Sequence, residues 1–597
     1  MALDPVVICL SRTGETVARG VADALGVPLH GREGRVARAD VFFPDALEHI
    51  RTLFASGIPI VGVCASGILI RAVAPLLTDK HAEPPVLSIS DDGAVVVPLL
   101  GGHRGANRMA RQIAETLEAN AAITTAGDTA LGVALDEPPP GYRLANPSDA
   151  RKMMAALLSG ASLRQTGERL FNLPDTANGT LEIRVSEAPA KGSEKRLVYH
   201  PKQFALGVGC ARGASPDELW QLVQRVLSDA GIAPGAVASV NTLDLKADEP
   251  AVNALAHRLG IPLRLFSAGE LAREEGRLAN PSEVVRAEVG CPGVAEGAAL
   301  AAAGNKGVLA VEKCRNASCT AALARAPEPI VTHAGRARGR LAVVGIGPGQ
   351  AAWRTPEASR LIAEADELVG YGLYIDLLGP PVAGKPRRDF PLGGEEARCR
   401  YALEEAGKGR NIALVCSGDA GIYAMGALVF ELLDRTPENA GVSDAARRSE
   451  VIVAPGISAL QAAAARAGAP LGHDFCAISL SDLLTPREDI IRRLHAAAEG
   501  DFVIAFYNPV SRRRRSLLTE ARDILLAHRP ANTPVLLASS LGRPEENLLY
   551  RQLADLQVDE VDMLTLVLVG SSRSRLASLG EGPRMFTPRG YAKRIDG

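Results

Sequence analysis

The stretch ALVCSGDAGIYAMGALVFELL, residues 413–433, decides the fold of the C-terminal region. Its first residues form a short apolar run typical of a buried strand, and a polar turn follows in which Asp419 lies between Gly418 and Gly421. The apolar pattern over residues 422–433 predicts a helix. Glycines allow backbone conformations closed to other residues and let a ligand come close. We therefore expect Asp419 either to accept hydrogen bonds from a ligand or to cap the helix.

Short β-branched runs alternate with alanine- and leucine-rich helical patterns along almost the whole chain. Such alternation predicts an α/β protein with mostly parallel sheets. The runs expected to form buried strands are PVVICL, IPIVGVC, AVVVPLL, FALGVGC, LAVVGIG, IALVCSG, SEVIVAPG, DFVIAFY, TPVLLASS and MLTLVLVG.

The composition places the chain among ordinary globular proteins, with 47% hydrophobic and 22% charged residues. A length of 597 residues predicts about four folding units. A formal net charge of -2 and 4% aromatic residues argue against nucleic acid as the main partner. No apolar run approaches the roughly 20 residues of a membrane helix, and the N-terminus lacks the pattern of a secretory signal. The nine cysteines are scattered without a CxxC pair, so we expect a reducing cytoplasm and no metal site.

Composition shifts divide the chain. LDEPPPGYRLANP (135–147) is rich in proline and glycine, and RAPEPIVTHAGRARGR (325–340) lacks apolar periodicity. The expected units are an N-terminal α/β domain (1–135), a small middle domain (136–202), a second α/β domain (203–326), a linker (327–340) and a C-terminal unit (341–597).

The turn VVGIGPG contains Gly345, Gly347 and Gly349 and is similar to a nucleotide-binding loop. A GxGxxG fingerprint would need glycine at Gln350, and Pro348 removes a backbone donor that a pyrophosphate would use. These two departures argue against the alternative of an NAD-dependent oxidoreductase and favour a turn made for close packing.

Two further turns follow strands in the same region. Pro455 and Gly456 end one strand before Ser458 starts an alanine-rich helix. Tyr507 and Asn508 end the next strand, ahead of four consecutive arginines, Arg512, Arg513, Arg514 and Arg515. Such arginines form either a solvated face or, at the mouth of a cleft, a binding site for a substrate with several carboxylates, because guanidinium pairs bidentately with carboxylate.

Taken together, the motifs VGIGPG, SGDAGIYAM, PGISALQAAAARAGAPLGHDF, AISLSDLLTP, FYNPVSRRR and MLTLVLVGSSRSR resemble the class III S-adenosylmethionine-dependent methyltransferases of tetrapyrroles, in the precorrin-3B C(17)-methyltransferase branch. The resemblance implies two α/β lobes, a homodimer, S-adenosyl-L-methionine as cofactor, and methyl transfer with ring contraction. Ala420 replaces the proline usual in this family. Carried over by position, the cofactor site would comprise Pro348, Gly418, Asp419, Ile422, Ser458, Ala459, Tyr507 and Asn508, with Arg512 and Arg513 contacting the substrate.

The N-terminal half resembles the cobalt-precorrin-5A hydrolases through ASGILIRAV, LLGGHRGAN, GVGCARGAS, NTLDLKADEP and CPGVAEGAAL. That family opens a lactone on the macrocycle and releases acetaldehyde. The reaction needs a base and an oxyanion-stabilising group. We expect Arg212 to bind a substrate anion. The candidate catalytic residues are His103, Asp79, Lys80, Asp244, Lys246 and Glu249. The alternatives are a solvated connection at residues 244–249 and a half that carries tetrapyrrole without catalysis.

Overall fold

The computed structural model of the chain describes residues 3–79, 83–125, 131–511, 514–591 and 594. The chain divides into two units. The first contains Met1–Leu341, Tyr401–Ile412 and Leu433–Val451, and the second contains Ala342–Arg400, Ala413–Leu432 and Ile452–Gly597. Among the described residues, no helix combines the length and apolar character that crossing a bilayer requires.

All ten runs expected to be strands are strands in the structure, which confirms the α/β prediction. The first sheet has the order β3-β2-β1-β4-β5-β6-β7, with one antiparallel pair, β5 with β6. Its strands are β1 Val6–Cys9, β2 Leu29–Arg32, β3 Val41–Phe43, β4 Ile60–Val63, β5 Val86–Ile89, β6 Val95–Leu100 and β7 Asn120–Ala121, and its helices are Glu15–Leu25, Ala46–Ala55, Ser66–Val73 and Ala106–Leu117.

This first sheet is covered on both faces because alternate strand residues point to opposite sides. Val7 of β1 packs with helices Glu15–Leu25 and Ala106–Leu117, whereas Ile8 packs with helices Ala46–Ala55 and Ser66–Val73. Both strand residues are fully buried. A strand buried on both faces needs a continuous apolar run, and VVIC is such a run.

The next two sheets complete the N-terminal half. One has the order β8-β11-β10-β9, and the other has the order β14-β13-β12-β16-β15. Their strands are β8 Tyr142–Leu144, β9 Leu163–Thr166, β10 Leu181–Val185, β11 Arg196–Pro201, β12 Phe204–Cys210, β13 Val237–Leu243, β14 Leu263–Phe266, β15 Val308–Arg315 and β16 Cys319–Arg325, and their helices are Pro147–Leu158, Pro216–Asp229, Pro250–Leu259, Ala268–Ala272, Glu283–Val289 and Val294–Ala303.

Helix Val294–Ala303 lies unusually close to β12. A Cβ atom at Gly207 would stand 1.9 Å from the carbonyl oxygen of Ala295, so glycine is required where the helix crosses the strand. The opposite face of the sheet is packed by helices Pro216–Asp229 and Pro250–Leu259. This arrangement leaves the loops after β12 and β13 together at the carboxyl ends of two parallel strands.

The C-terminal region contains three sheets, with the orders β19-β18-β20-β17-β21, β23-β24-β27-β25-β26 and β22-β29-β28. Their strands are β17 Arg340–Gly345, β18 Glu367–Tyr371, β19 Arg387–Phe390, β20 Asn411–Cys416, β21 Glu450–Ala454, β22 Gly468–Ala469, β23 Phe475–Ser479, β24 Val503–Tyr507, β25 Pro534–Ser539, β26 Asn547–Gln552, β27 Thr565–Val569, β28 Arg575–Leu579 and β29 Gly582–Phe586. The helices are Pro356–Glu364, Gly372–Asp376, Glu395–Gly407, Gly426–Asp434, Asp444–Arg447, Ala459–Ala467, Arg487–Glu499 and Ser516–Leu526.

The expectation of mostly parallel sheets is wrong for the sheet that contains β24. β24 pairs in parallel with β23, but β27 runs antiparallel to both β24 and β25, and β26 runs antiparallel to β25. The physical reason for the last pair is the short connection of residues 540–546, because a parallel pair needs a crossover of a dozen or more residues.

Candidate active site

Three of the predicted glycine turns meet in the second unit. Gly347 and Gly418 exchange backbone hydrogen bonds, with N–O distances of 2.8 and 3.1 Å. Gly456 lies against both turns, since a Cβ atom there would stand 2.1 Å from the Gly418 oxygen and 2.8 Å from the Gly345 oxygen. The turns after β17, β20 and β21 therefore touch through backbone atoms, and this contact permits no side chain at position 456.

The Asp419 carboxylate joins two of these turns. Its Oδ1 accepts a hydrogen bond from Gly421 N at 2.8 Å, and its Oδ2 accepts one from Gly456 N at 3.0 Å. Asp419 does not cap the following helix, because that helix begins at Gly426. The prediction of a helix from residue 422 is wrong, and the reason is local: Tyr423 has a φ of 51°, a left-handed conformation that a helix cannot contain.

The fourth predicted turn, after β24, is fixed to the same region by its polar side chains. The Tyr507 hydroxyl accepts a hydrogen bond from Leu460 N at 3.0 Å, at the start of helix Ala459–Ala467. Ser458 forms a capping box with Gln461 at this helix start, as the sequence predicted for the helix position. Asn508 donates to Ser479 Oγ at 3.1 Å. These bonds hold the ends of β23 and β24 beside the alanine-rich helix.

All four turns contribute residues to the lining of one cleft. All eight predicted cofactor-site residues line it, from Pro348 to Asn508. The structure adds lining residues that the sequence analysis did not select: Tyr374, Ser417, Tyr423, Ala538, Ser540, Leu541, Arg543, Met563, Leu564, Thr565 and Leu566.

Three tyrosines line the cleft. Burial raises the pKa of the Tyr374, Tyr423 and Tyr507 hydroxyls above their ordinary value, so the three phenols stay neutral and act as hydrogen-bonding groups. The rings of Tyr423 and Tyr507 lie 5.1 Å apart, and the Tyr423 hydroxyl donates to the Ala477 oxygen at 2.9 Å. A site of this kind can bind and align reactants for direct group transfer.

A second polar cluster lies in the first unit, where the loops after β12 and β13 meet. Glu249 is fully buried, and its Oε1 accepts a hydrogen bond from Gly213 N at 2.8 Å. Its Oε2 has no hydrogen-bond partner, although Arg212 and Lys246 place nitrogen atoms 3.3 and 3.8 Å from it. Arg212 also pairs with Asp248 at 2.7 Å. Three of the predicted residues, Arg212, Lys246 and Glu249, are thus brought together.

Asp244 is a further predicted residue of this half, and Cys210 is a neighbouring residue that the sequence analysis did not select. Asp244 begins a short 3-10 turn, and its carboxylate lies 3.6 Å from the Arg336 guanidinium. Cys210 neighbours the Glu249 cluster, but burial raises the pKa of its thiol to about 11, with the charge of Glu249 contributing. This shift favours the protonated thiol at Cys210 near neutral pH.

The predicted residues near β5 and β6 are only partly described. His103 lies in the 3-10 turn Gly102–Arg104, between Gly101 and Gly105, both with left-handed backbones. Asp79 precedes β5 and interacts with at least one other residue. Lys80, Arg512 and Arg513 lie outside the described residues.

Comparison with protein families finds matches in both halves of the chain. Residues 340–557 match the family of tetrapyrrole (corrin/porphyrin) methylases. Residues 48–128 match the N-terminal domain of cobalamin synthesis G proteins, and residues 204–324 match the C-terminal domain. The resemblances drawn from the sequence motifs are confirmed.

The chain belongs to the tetrapyrrole methylase family and carries cobalamin synthesis G domains ahead of its methylase region. It is 42% identical over 260 residues to a precorrin-3B C(17)-methyltransferase of Sinorhizobium sp, covering 42% of this chain and 98% of that relative. It is 40% identical over 259 residues to a cobalt-factor III methyltransferase of Priestia megaterium, covering 43% of this chain and 46% of that relative. The crystal structure of the methyltransferase CobJ shares 41% identity, with a TM-score of 0.38, over 42% of this chain and all of that one.

Proposed function

We propose that the chain transfers a methyl group from S-adenosyl-L-methionine to carbon 17 of precorrin-3B or its cobalt form, with contraction of the ring, in cobalamin biosynthesis. The observation that carries this proposal is that the eight residues expected from the family resemblance, from four strand-end turns, line one cleft. The 42% identity to a precorrin-3B C(17)-methyltransferase over nearly its whole length supports the choice of reaction.

The lining of the cleft fits an adenosylated methyl donor in its chemistry. Gly418 lines the cleft, and its backbone packs against Gly345 and Gly456, so a single added Cβ at Gly456 would disrupt this contact. A glycine in the lining lets a nucleoside approach the backbone closely. Pro348, Asp419, Ser458 and Tyr507 would hold the donor from the sides.

S-adenosylmethionine, when bound, supplies an electrophilic methyl group on a sulfonium, so the transfer requires no nucleophilic side chain. The contribution of the protein is alignment, and good alignment of two reactants lowers a barrier by about 7–11 kcal/mol. Asp419 fixes the turns after β20 and β21, and Tyr507 fixes the start of helix Ala459–Ala467. We assign no acid or base to the ring contraction.

The test is incubation of the full-length protein with isotopically labelled S-adenosylmethionine and trimethylated precursor, either metal-free or cobalt-loaded. We expect one added labelled methyl group and the mass of a ring-contracted product. The two parallel incubations identify the metal state of the natural substrate. A protein that binds the donor and methylates neither precursor would contradict the proposal.

For the N-terminal half we propose a second activity, hydrolysis of the lactone of cobalt-precorrin-5A with release of acetaldehyde. The observation that favours catalysis is the buried Glu249 carboxylate, with one oxygen held by Gly213 N and the other facing Arg212 and Lys246 without a hydrogen bond. A carboxylate fixed in this way can accept a proton from water, and the two cations can stabilise an oxyanion.

Replacement of Glu249 by glutamine should lower acetaldehyde release by about hundredfold or more, because an amide cannot act as the base. Acetaldehyde can be followed with a coupled alcohol dehydrogenase on the full-length protein. The matched control is Glu283→Gln, at a side chain that is 82% exposed, which should leave the rate unchanged.

Two outcomes would count against hydrolysis in this half. A Glu249→Gln variant with the wild-type rate would remove Glu249 from the reaction. Tight binding of the pigment by the wild-type protein without acetaldehyde would instead favour the alternative of a half that carries tetrapyrrole.

We propose in addition that the chain works in the cytoplasm as a homodimer formed through its methylase region. All nine cysteines are free, which fits a reducing compartment. Leu483 and Leu484 are 78% and 98% exposed, and exposed apolar side chains of this size favour a protein–protein contact. Analytical ultracentrifugation should give twice the mass of the chain, and Leu483→Asp with Leu484→Asp should shift it to the monomer. A monomeric wild-type protein would contradict the dimer.

A further inference from the structure

Arg543 is a cationic residue of the cleft that the sequence motifs do not single out. It lies in the turn after β25 and lines the cleft together with Pro348 and Tyr374. Its backbone N donates to the Ser540 oxygen at 3.1 Å, and its side-chain Nε donates to the Pro348 oxygen at 3.4 Å. The Arg543 side chain is thus tied to the turn after β17 through one nitrogen.

Two acidic side chains, Glu545 and Glu546, lie in the same turn as Arg543. Glu546 accepts a hydrogen bond from Arg466 Nε at 2.7 Å and one from Gly542 N at 2.7 Å, so both of its oxygens are used. In the part of the chain that the structure describes, no carboxylate forms an ion pair with Arg543. The positive charge of Arg543 is therefore not neutralised within its own loop.

The rest of the cleft does not neutralise this charge. Among the described lining residues, Asp419 is the one carboxylate, and backbone amides of Gly421 and Gly456 take both of its oxygens. The charge of Arg543 acts on the Tyr374 hydroxyl, but burial raises the pKa of this hydroxyl, and the phenol of Tyr374 is neutral. The cleft thus presents an arginine whose natural complement is an anion from outside the chain.

We propose that Arg543 binds a carboxylate of a ligand in the cleft and thereby selects ligands that carry one. The inference rests on the proposed function, because both expected ligands are carboxylates. The methyl donor carries one on its aminobutyrate chain, and the macrocycle carries several on its periphery. Guanidinium pairs with a carboxylate in a planar, two-bond geometry, so lysine at this position should be a poor substitute.

The test uses full-length Arg543→Gln and three probes. S-adenosylhomocysteine carries the donor's carboxylate, 5′-methylthioadenosine lacks it, and uroporphyrin III carries macrocycle carboxylates. Calorimetry measures the first two, and fluorescence quenching measures the third. We expect the Kd to rise about tenfold or more for a carboxylate probe and to stay within twofold for methylthioadenosine. If the affinity falls for S-adenosylhomocysteine alone, the partner of Arg543 is the donor carboxylate. If the affinity falls for uroporphyrin III alone, the partner is a carboxylate of the macrocycle.

Two further variants sharpen the result. Arg543→Lys should recover only part of the lost affinity, because it keeps the charge without the planar fork. Arg551 lies on β26 and pairs with Glu560, so Arg551→Gln should bind all three probes like the wild type. Unchanged binding of every probe by Arg543→Gln, or an equal loss with methylthioadenosine, would overturn the inference. A wild-type protein that binds neither carboxylate probe would instead overturn the proposed function.

Discussion

Replacement of Gly456 by alanine is expected to slow methyl transfer by the full-length chain at least about hundredfold. The added Cβ would stand 2.1 Å from the Gly418 oxygen and 2.8 Å from the Gly345 oxygen. The Gly418 oxygen already accepts a hydrogen bond from Gly347 N, so the turns can accommodate the methyl group only by separating. A displacement of about 1 Å at a group-transfer site costs roughly hundredfold in rate, and we expect at least that loss in kcat/KM.

The measurement is the rate of labelled methyl transfer, together with calorimetric affinity for S-adenosylhomocysteine. The matched control is Gly580→Ala, where an added Cβ meets nothing within 4 Å and the residue lies outside the cleft. A Gly456→Ala protein that keeps its rate within threefold of the wild type would show that methyl transfer does not depend on the contact among the three turns.

The second large effect is expected for Asp419→Ala. This change removes two hydrogen bonds between a carboxylate and backbone amides, at 2.8 and 3.0 Å, and with them the link between the turns after β20 and β21. Hydrogen bonds to a charged group contribute about 1.5–3 kcal/mol each, so the affinity for S-adenosylhomocysteine should fall about hundredfold. Thermal unfolding of the variant should occur at a lower temperature as well.

Asp419→Asn separates the charge from the shape of the side chain. Asparagine keeps one acceptor oxygen and places an amide donor against a backbone N–H, so we expect a loss close to that of alanine. The control is Asp523→Ala, at an exposed carboxylate that pairs with its neighbour Arg522. Wild-type affinity in Asp419→Ala would show that the donor site does not depend on this carboxylate.

Local signals in the sequence were sufficient to predict the strands and the four strand-end turns that contribute to the cleft. Buried strands such as β1 and β20 are continuous apolar runs, and turn residues close behind strands, such as Gly418 after β20 and Asn508 after β24, mark where the backbone turns. The resemblance of the motifs to a known family then grouped residues as distant as Pro348 and Asn508. The structure places both in one cleft.

The residues that sequence analysis missed share a physical cause. Arg543 and Met563 reach the cleft because β25 and β27 are neighbours in a sheet, and the pairing of distant strands leaves no local pattern. Ser540 is another example, since its left-handed backbone, with a φ of 49°, is rarely adopted by serine and is not signalled by composition. The start of helix Gly426–Asp434 was misplaced for the same reason, because Tyr423 adopts a conformation that its side chain does not predict.

In the N-terminal half, spacing alone could not separate a solvated connection from a buried site at residues 244–249. The acidic and basic residues of DLKADE are equally compatible with both. The deciding fact is the complete burial of Glu249, which depends on the loop after β12 closing over it. Burial of this kind is a tertiary property, and a short charged segment gives no sign of it.

The backbone contact among the turns after β17, β20 and β21 also bears on enzyme engineering. Trimming side chains cannot loosen a contact made of main-chain atoms, so a redesign of the proposed donor site for ethyl or allyl sulfonium analogues has to start at lining side chains elsewhere. Met563 and Leu564 offer that starting point, since both line the cleft and are 60% and 52% exposed. Smaller residues at these two positions should widen the range of groups that can be transferred while leaving the contact among the three turns intact.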